Sequence, residues 1–334
     1  MPNIHTAIDF TDRLLMAVKE AKSIGLTTHI NPDGDGLCTC LALKRILKHL
    51  GYEAEIIVDE LNLDRYNYLN ANEELIAYQD DLVYELLVVI DLHDYSRLSD
   101  RVHLAEKAKT VAVLDHHEIE DDLMDCTFSW VKTSAVCTGW MLNEMFKTVI
   151  RTMSAEDMLY VGNCLYTTLL NDTNNFTNAN TDKHSFELSA ALCNYGTKPY
   201  LIHRLFMVSR TPVELKLVGE ILSTIELYDD GKILFMHSTR EMLTRNNLDD
   251  EATSNITRWV QDLKGVETIA YFREENTDDY RLSLRSKTIN VHSIAIQYEG
   301  GGHLQASGCH CLGTLPDIKR LMLDKIHSAD KIAH

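Results

Sequence analysis

The chain lacks the features that define several protein classes. Five prolines and 15 glycines among 334 residues exclude a collagenous or low-complexity polymer. Its eight cysteines form no CxxC…CxxC frame. Cys38/Cys40 and Cys309/Cys311 are CxC pairs with no His/Cys set at zinc-finger spacing, so reduced thiols packed as small hydrophobes are expected. Apolar runs are short; LLVVI, ending at Ile90, is far below the length that spans a bilayer. The first twenty residues interleave charge with apolar groups and contain no signal-like apolar core. A cytoplasmic protein without membrane contact is the expectation. Basic residues are also scarce: 32 Lys+Arg against 50 Asp+Glu give a formal charge of −18. That argues against a broad basic surface for long duplex nucleic acid, which binds through neutralised phosphates. It leaves room for a small basic pocket or a metal-screened one.

What remains is an ordinary globular composition, 45% hydrophobic and 25% charged, over a length that suits two domains. An amphipathic helix is predicted from about Ile8 to Ile24. A β-branched strand, Leu26–Ile30, leads into the polar turn Asn31–Gly36, and a helix follows that stops at Gly51. Further strands are expected at Glu53–Asp59, Glu85–Asp91 and Thr110–Asp115. Strands alternating with helices, with continuous apolar runs, indicate an α/β fold with a doubly wound, mainly parallel sheet. Helices are then predicted at Thr133–Ile150, Ser154–Leu170 and Asp182–Tyr195. Residues 1–195 form the first domain in this reading and 196–228 a helical connection. Residues 229–334 form a smaller α/β domain with a mixed sheet, built on KILFMHS, VETIAYFRE and YRLSLRSK with a helix-like stretch at Asn255–Leu263.

Acidic and histidine residues gather at one edge of the first sheet. His29, Asp33 and Asp35 follow the first strand, Asp91 closes the third, and Asp115, His116 and His117 close the fourth. Ligand sites of open α/β sheets lie outside the carboxyl ends of the strands. Carboxylate with imidazole suits Mn²⁺, Fe²⁺ or Zn²⁺ better than Ca²⁺. The ordinary alternatives are an Asx-rich capping loop at 31–36, a solvated His pair, and capping roles for Asp91 and Asp172. Several carboxylates crowded together repel unless cations neutralise them, which favours shared metals. Two cations about 3.5–4 Å apart would activate water for attack on a phosphate. There is no G-x-S-x-G, and NPDGDG lacks the Lys-Ser/Thr of a P-loop. In the C-terminal part, Arg285, Ser286 and Lys287 end a strand, and Gly300-Gly301-Gly302-His303 offers backbone N–H groups to an anion. A solvated strand end and a flexible turn are the plain alternatives.

The ordered set H-x-x-P-D-x-D, strand-ending Asp, D-H-H, later D-T and G-G-G-H-x-x-A-S-G resembles the DHH phosphoesterase superfamily. The C-terminal motif points to the branch with a DHH-associated domain, and the motif order is similar to the nanoRNase/pAp-phosphatase group. The resemblance implies two divalent metals, Mn²⁺ first among them. His29, Asp33 and Asp91 would hold one, and Asp35, Asp91, His116 and Asp172 the other, with Asp91 bridging. His117 would contact the scissile phosphate or assist the leaving group, and Asp115 would orient His116 or His117. Arg285, with Ser286 beside it, and Gly300–His303 would hold the far nucleotide or terminal phosphate. The chain departs from the pattern at Glu299, a carboxylate beside the phosphate-binding turn. The activity implied is hydrolysis of oligonucleotides of two to five residues to mononucleotides, and of pAp. Linear or cyclic dinucleotides (pApA, pGpG) are the nearest alternative substrates, and a homodimer is allowed. A pyrophosphatase would lack the G-G-G-H domain, and long-strand exonucleases are usually larger. A non-catalytic nucleotide sensor should have lost a metal ligand, yet every ligand position is filled.

Overall fold

Continuous apolar runs build the first sheet. Its strands are β1 (Ile24–Thr27), β2 (Glu55–Val58), β3 (Leu75–Ala77), β4 (Leu86–Ile90), β5 (Thr110–Asp115) and β6 (Phe128–Val131). The computed structural model describes residues 4–59, 61, 63–117, 124–207, 211–253, 256–329 and 331. The strands run in the order β3-β2-β1-β4-β5-β6, and every pairing is parallel. Parallel strands buried on both faces need apolar side chains in both directions. Leu26, Ile56, Val88 and Leu114 pack on one side under helices, while Ile57, Leu87, Val89 and Val113 pack on the other. The order reverses between β1 and β4, which is the switch point where such sheets bind ligands.

The helices of this unit are α1 (Ala7–Glu20), α2 (Gly34–His49), α3 (Ala71–Glu74), α4 (Val102–Lys107), α5 (Thr138–Ile150), α6 (Ala155–Asp172), α7 (Lys183–Asn194) and α8 (Pro199–Phe206). The expected architecture stands, with shifted boundaries. Ile24 opens β1 instead of ending the first helix, because Ala21 already has extended backbone. β1 ends at Thr27, so His29 lies beyond it on irregular backbone. β3 and β6 escape the sequence pattern: LIA is three residues long, and a serine interrupts FSWV. Asp172 is the last residue of α6, where the sequence placed it after the helix.

The chain divides into two compact units, 1–209 and 210–334. Of the stretch read as a helical connection, α8 buries Ile202 and Phe206 in the first unit's core. The helix α9 (Pro212–Leu222) buries Leu217, Val218 and Ile221 in a core of the second. The second unit also holds α10 (Arg240–Asn246), α11 (His292–Ala295) and α12 (Leu315–Ser328). Its strands are β7 (Glu226–Tyr228), β8 (Ile233–Ser238), β9 (Thr268–Asn276), β10 (Asp279–Ser286), β11 (Gly301–His303) and β12 (Ala306–Leu312). They form one mixed sheet, β11-β12-β10-β9-β8-β7, in which β8 and β9 are parallel and the other neighbours antiparallel. The predicted helix-like stretch contains a 3₁₀ turn at Ile256–Trp259, and its Asn255 lies outside the described residues. Among the described residues no helix is long and apolar enough to cross a membrane.

Candidate functional site

The turn after β1 is fixed by its own side chains. Asp33 caps α2, its Oδ1 accepting the amides of Asp35 at 2.9 Å and Gly36 at 3.3 Å. The capping reading of this loop is therefore correct, and it coexists with a second role. Gly36 lets the first turn of α2 press against the end of β1: a Cβ there would lie 1.9 Å from Thr28 Oγ1 and 3.3 Å from Asp91 Oδ2. Asp35 is fully buried and receives the amides of Thr138 (2.7 Å) and Gly139 (3.2 Å) at the start of α5.

Asp91 follows β4 with left-handed backbone, φ 68°, a conformation Asp tolerates better than most residues. That turn sends its carboxylate between two groups of side chains. Asp91 Oδ2 lies 3.6 Å from His29 Nε2, and Oδ1 lies 3.6 Å from His116 Nε2. On the first side, His29 Nε2 is also 3.6 Å from Asp33 Oδ1. On the second, His116 Nε2 is 3.0 Å from Asp172 Oδ2 and 3.6 Å from Asp35 Oδ2. Ligand atoms within each set, His29/Asp33/Asp91 and Asp35/His116/Asp172, lie within 4.8 Å of one another.

The rings are turned for this purpose. His29 Nδ1 meets the Ile30 carbonyl at 2.7 Å and His116 Nδ1 the Ala135 carbonyl at 3.1 Å. A carbonyl can only accept, so each Nδ1 carries a proton and each Nε2 is turned inward, where a cation that displaced any proton there would meet its lone pair. His29 Nε2 and Asp91 Oδ1 are buried with no hydrogen-bond partner among the described residues. Such an atom costs about 1–3 kcal/mol unless something satisfies it. Burial, then the charges of Asp35, Asp33 and Asp172, push Asp91 well above the ordinary carboxylate value. Burial and then Asp172 do the same to Asp35. For His116, burial opposes protonation, but Asp172 and then Asp35 push its pKa up to about 10. Two orphaned ligand atoms amid carboxylates that repel one another fit divalent cations, and the His/Asp donors suit Mn²⁺, Fe²⁺ or Zn²⁺.

Asp115 is also fully buried, yet it stays well below the usual carboxylate range. Burial opposes this, and the hydrogen bonds of His117 and His93 prevail. Its Oδ1 accepts His117 Nδ1 at 2.8 Å together with the His116 and His117 amides, and Oδ2 pairs with His93. Asp115 thus holds the ring of His117; its link to His116 is through the backbone. Glu118, which completes the LDHHE motif, lies outside the described residues.

Three contributors escaped the sequence reading. His93 clamps Asp115, and its place two residues after Asp91 was the available signal. Asn171 donates to Asp33 Oδ2 and Asp172 Oδ1, both at 3.0 Å, joining the two metal-facing segments. Arg101 is fully buried, gripping both oxygens of Asp59 and reaching Thr27 Oγ1 and the Thr28 carbonyl beside His29.

In the second unit, Arg285 is half-buried on β10, paired in register with Ala306. Among the described residues it has no carboxylate partner; its Nη1 donates to the Leu284 carbonyl at 2.8 Å, and burial lowers its pKa. Its neighbour Ser283 pairs with Gly308, which pairs with Gly301, so the adjoining sheet face carries little side-chain bulk. The expected turn at Gly300–His303 is instead a strand, because Gly301–His303 pair with Ala306–Gly308. A Cβ on Gly300 would lie 2.2 Å from the Gly308 carbonyl oxygen, so the segment is packed, not loose. Ser286 is engaged within its own strand end. Its hydroxyl is shared among Thr268 Oγ1, the Glu267 carbonyl and the amides of Thr288 and Ile289, which commits it to the strand-end turn. Lys287 reaches the Val266 carbonyl at 3.5 Å, and Glu299 takes left-handed backbone just before Gly300.

Comparison with known proteins covers both units. Residues 23–168 match the DHH family N-terminal domain, and residues 234–327 match the DHHA1 domain. The chain is 28% identical to the bifunctional oligoribonuclease and PAP phosphatase NrnA of Mycoplasma genitalium, over 87% of this chain and 89% of that one. It is 28% identical to the NrnA of Thermus thermophilus, over 87% and 84% of the two chains. The Bacillus subtilis NrnA is 26% identical over 88% and 91%. A crystal structure of an exopolyphosphatase-related protein from Bacteroides fragilis shares the fold, with a TM-score of 0.87 over 96% of each chain at 20% identity. With both family domains in order and the motif residues assembled at the switch point, the chain belongs to the DHH phosphoesterase superfamily, in the branch whose DHH domain is followed by a DHHA1 domain.

Proposed function

We propose that this protein hydrolyses the phosphodiester bonds of very short oligonucleotides to mononucleotides, and the phosphomonoester of pAp, with two divalent cations, Mn²⁺ being the first to try. The observation that carries the reading is the Asp91 carboxylate, whose two oxygens face two separate His-containing ligand sets at equal distance. His29, Asp33 and Asp91 would hold one cation, and Asp35, Asp91, His116 and Asp172 the other. Such a pair makes a water nucleophilic near neutral pH and neutralises charge developing on the phosphate.

The chain's own groups supply the remainder. Asp115 accepts a hydrogen bond from His117 Nδ1–H, which would set the Nε2 edge of that ring to meet the scissile phosphate or protonate the departing ribose oxygen. His93 keeps Asp115 from rotating. Arg285, an unpaired guanidinium beside the nearly bare strand face of Gly301, Gly308 and Ala306, supplies the grip for a terminal phosphate. A −18 chain can bind such small anions through cations and one arginine, with no basic track. The names of the relatives, oligoribonuclease and PAP phosphatase, support the substrate class. We also place the protein in the cytoplasm, where its eight free cysteines would stay reduced.

The test is a panel of substrates graded by length, with pAp, pApA, pGpG and cyclic dinucleotides, assayed in Mn²⁺ and in EDTA. Mononucleotide release in Mn²⁺ alone is expected. Asp91→Asn keeps the shape and should lower turnover by at least about 100-fold. Retention of a tenth of the parent rate, or tight nucleotide binding without turnover by the parent, would overturn the reading.

A further inference from the structure

We infer that Phe186, backed by Phe176, forms the platform on which a nucleobase of the substrate stacks. The inference rests on the oligonucleotide reading above. Phe186 stands on α7 with 59% of its surface exposed, and its ring lies nearly parallel to that of Phe176, at 5.4 Å and 15°. Phe176 leans in turn on the buried Tyr166 at 6.4 Å. The three rings make a ladder from the core to the surface, and the outer face of the last ring is open.

The placement of the ladder ties it to the site. Phe176 follows Asp172 by four residues. Asn174, Asn175 and Phe176 all have left-handed backbone, φ 45°, 58° and 65°, which folds the chain back along α6. Tyr166 precedes Asp172 by six residues on α6, so the ladder starts on the helix whose last residue is a candidate metal ligand. Thr173 Oγ1 accepts the Phe176 amide at 3.0 Å. Asn178 and Asn180 donate to the Asp172 carbonyl at 2.8 and 3.2 Å. One loop therefore fixes the backbone of both Asp172 and Phe176.

A single exposed phenylalanine is unremarkable by itself. Here one ring of a flat pair stands on the loop that directly follows Asp172, in a chain too acidic to attract the rest of a nucleic acid by charge. Stacking on aromatic rings is the sequence-tolerant way to hold short single strands. A second copy of the chain is a poor occupant, because exposed Lys183 and Glu187 flank the ring and stable protein interfaces bury about 800 Å² per partner.

The experiment compares parent, Phe186→Ala and Phe186→Trp on pApA and on the same diester lacking either base, with sedimentation of each variant. Phe186→Ala should raise KM for pApA about tenfold with kcat within about twofold, and Phe186→Trp should restore KM. On at least one base-free diester, Phe186→Ala and the parent should share the same KM. An unchanged KM on pApA overturns the inference and leaves the hydrolase reading intact. An equal rise on both base-free diesters shows a merely structural role, and a changed oligomeric state shows that a second copy covers the ring; either overturns it. A parent inactive on every oligonucleotide removes both together.

Discussion

Asp35 Oδ2 accepts the Thr138 amide at 2.7 Å, joining two parts of the chain 103 residues apart. The same carboxylate lies 3.6 Å from His116 Nε2, so one side chain caps α5 and faces the candidate metal position. Helix cap and candidate metal ligand are thus a single residue.

Asp35→Asn separates the two roles. The amide oxygen can still accept from Thr138, its NH2 faces the Gly139 amide in place of an acceptor, and the buried carboxylate that Asp172 opposes is gone. In the parent, Mn²⁺ at about 100 times its Kd should add about 2.7 kcal/mol of stability, and the variant should lose most of that gain. Thermal melts in EDTA and in Mn²⁺ decide it; an unaltered metal response would remove Asp35 from the ligand set.

Arg101→Met empties a fully buried guanidinium site. Asp59 and the Thr28 carbonyl lose charged donors, and the end of β1 that carries His29 is released. A loss of about 2 kcal/mol is expected, since the Thr27 hydroxyl and the Thr28 carbonyl lose a buried donor while the exposed Asp59 turns to water. Urea unfolding in EDTA measures this, and a change below about 1 kcal/mol would mean that Arg101 is not the tie.

Arg285→Ala should raise KM about tenfold or more, the scale of a lost charge-assisted hydrogen bond, with metal content unchanged. Steady-state kinetics together with metal analysis would show it. Loss of metal instead would place Arg285 in a different role.

Acid should weaken one surface network in a predictable direction. The hydrogen bond from Arg45, at 2.9 Å, is the chief reason Asp157 lies below its ordinary value. Glu74 is also lowered: burial opposes this, but Lys44 and Arg45 outweigh it. Folded values below the unfolded 3.8 and 4.5 mean that the stabilisation is complete above that range and lost as pH falls through the lowered values. Arg45→Met should therefore melt below the parent at pH 7, with the gap closing toward about pH 2. A gap that stays constant with pH would show that the arginine acts by packing on Tyr160.

The sequence by itself determined the parallel sheet, because strands covered on both faces must be apolar throughout and LLVVI and TVAVLD are. It also placed candidate hard ligands after three separate strands, which have one common edge on which to meet. Tertiary structure decided what each of them does there. That Asp91 turns left-handed to divide its oxygens, that Asp35 caps a helix 103 residues away, and that Asp115 holds His117 depend on long-range backbone approach. Ser286 reads as an anion ligand in the sequence, and only the fold shows that its hydroxyl also braces a turn, because the hydroxyl of a serine is engaged by whichever backbone groups the fold brings to it. His93, Arg101 and the Phe176–Phe186 pair left no periodic trace, since polar anchors and stacked rings follow the proximity of elements in space and not the spacing of residues along the chain.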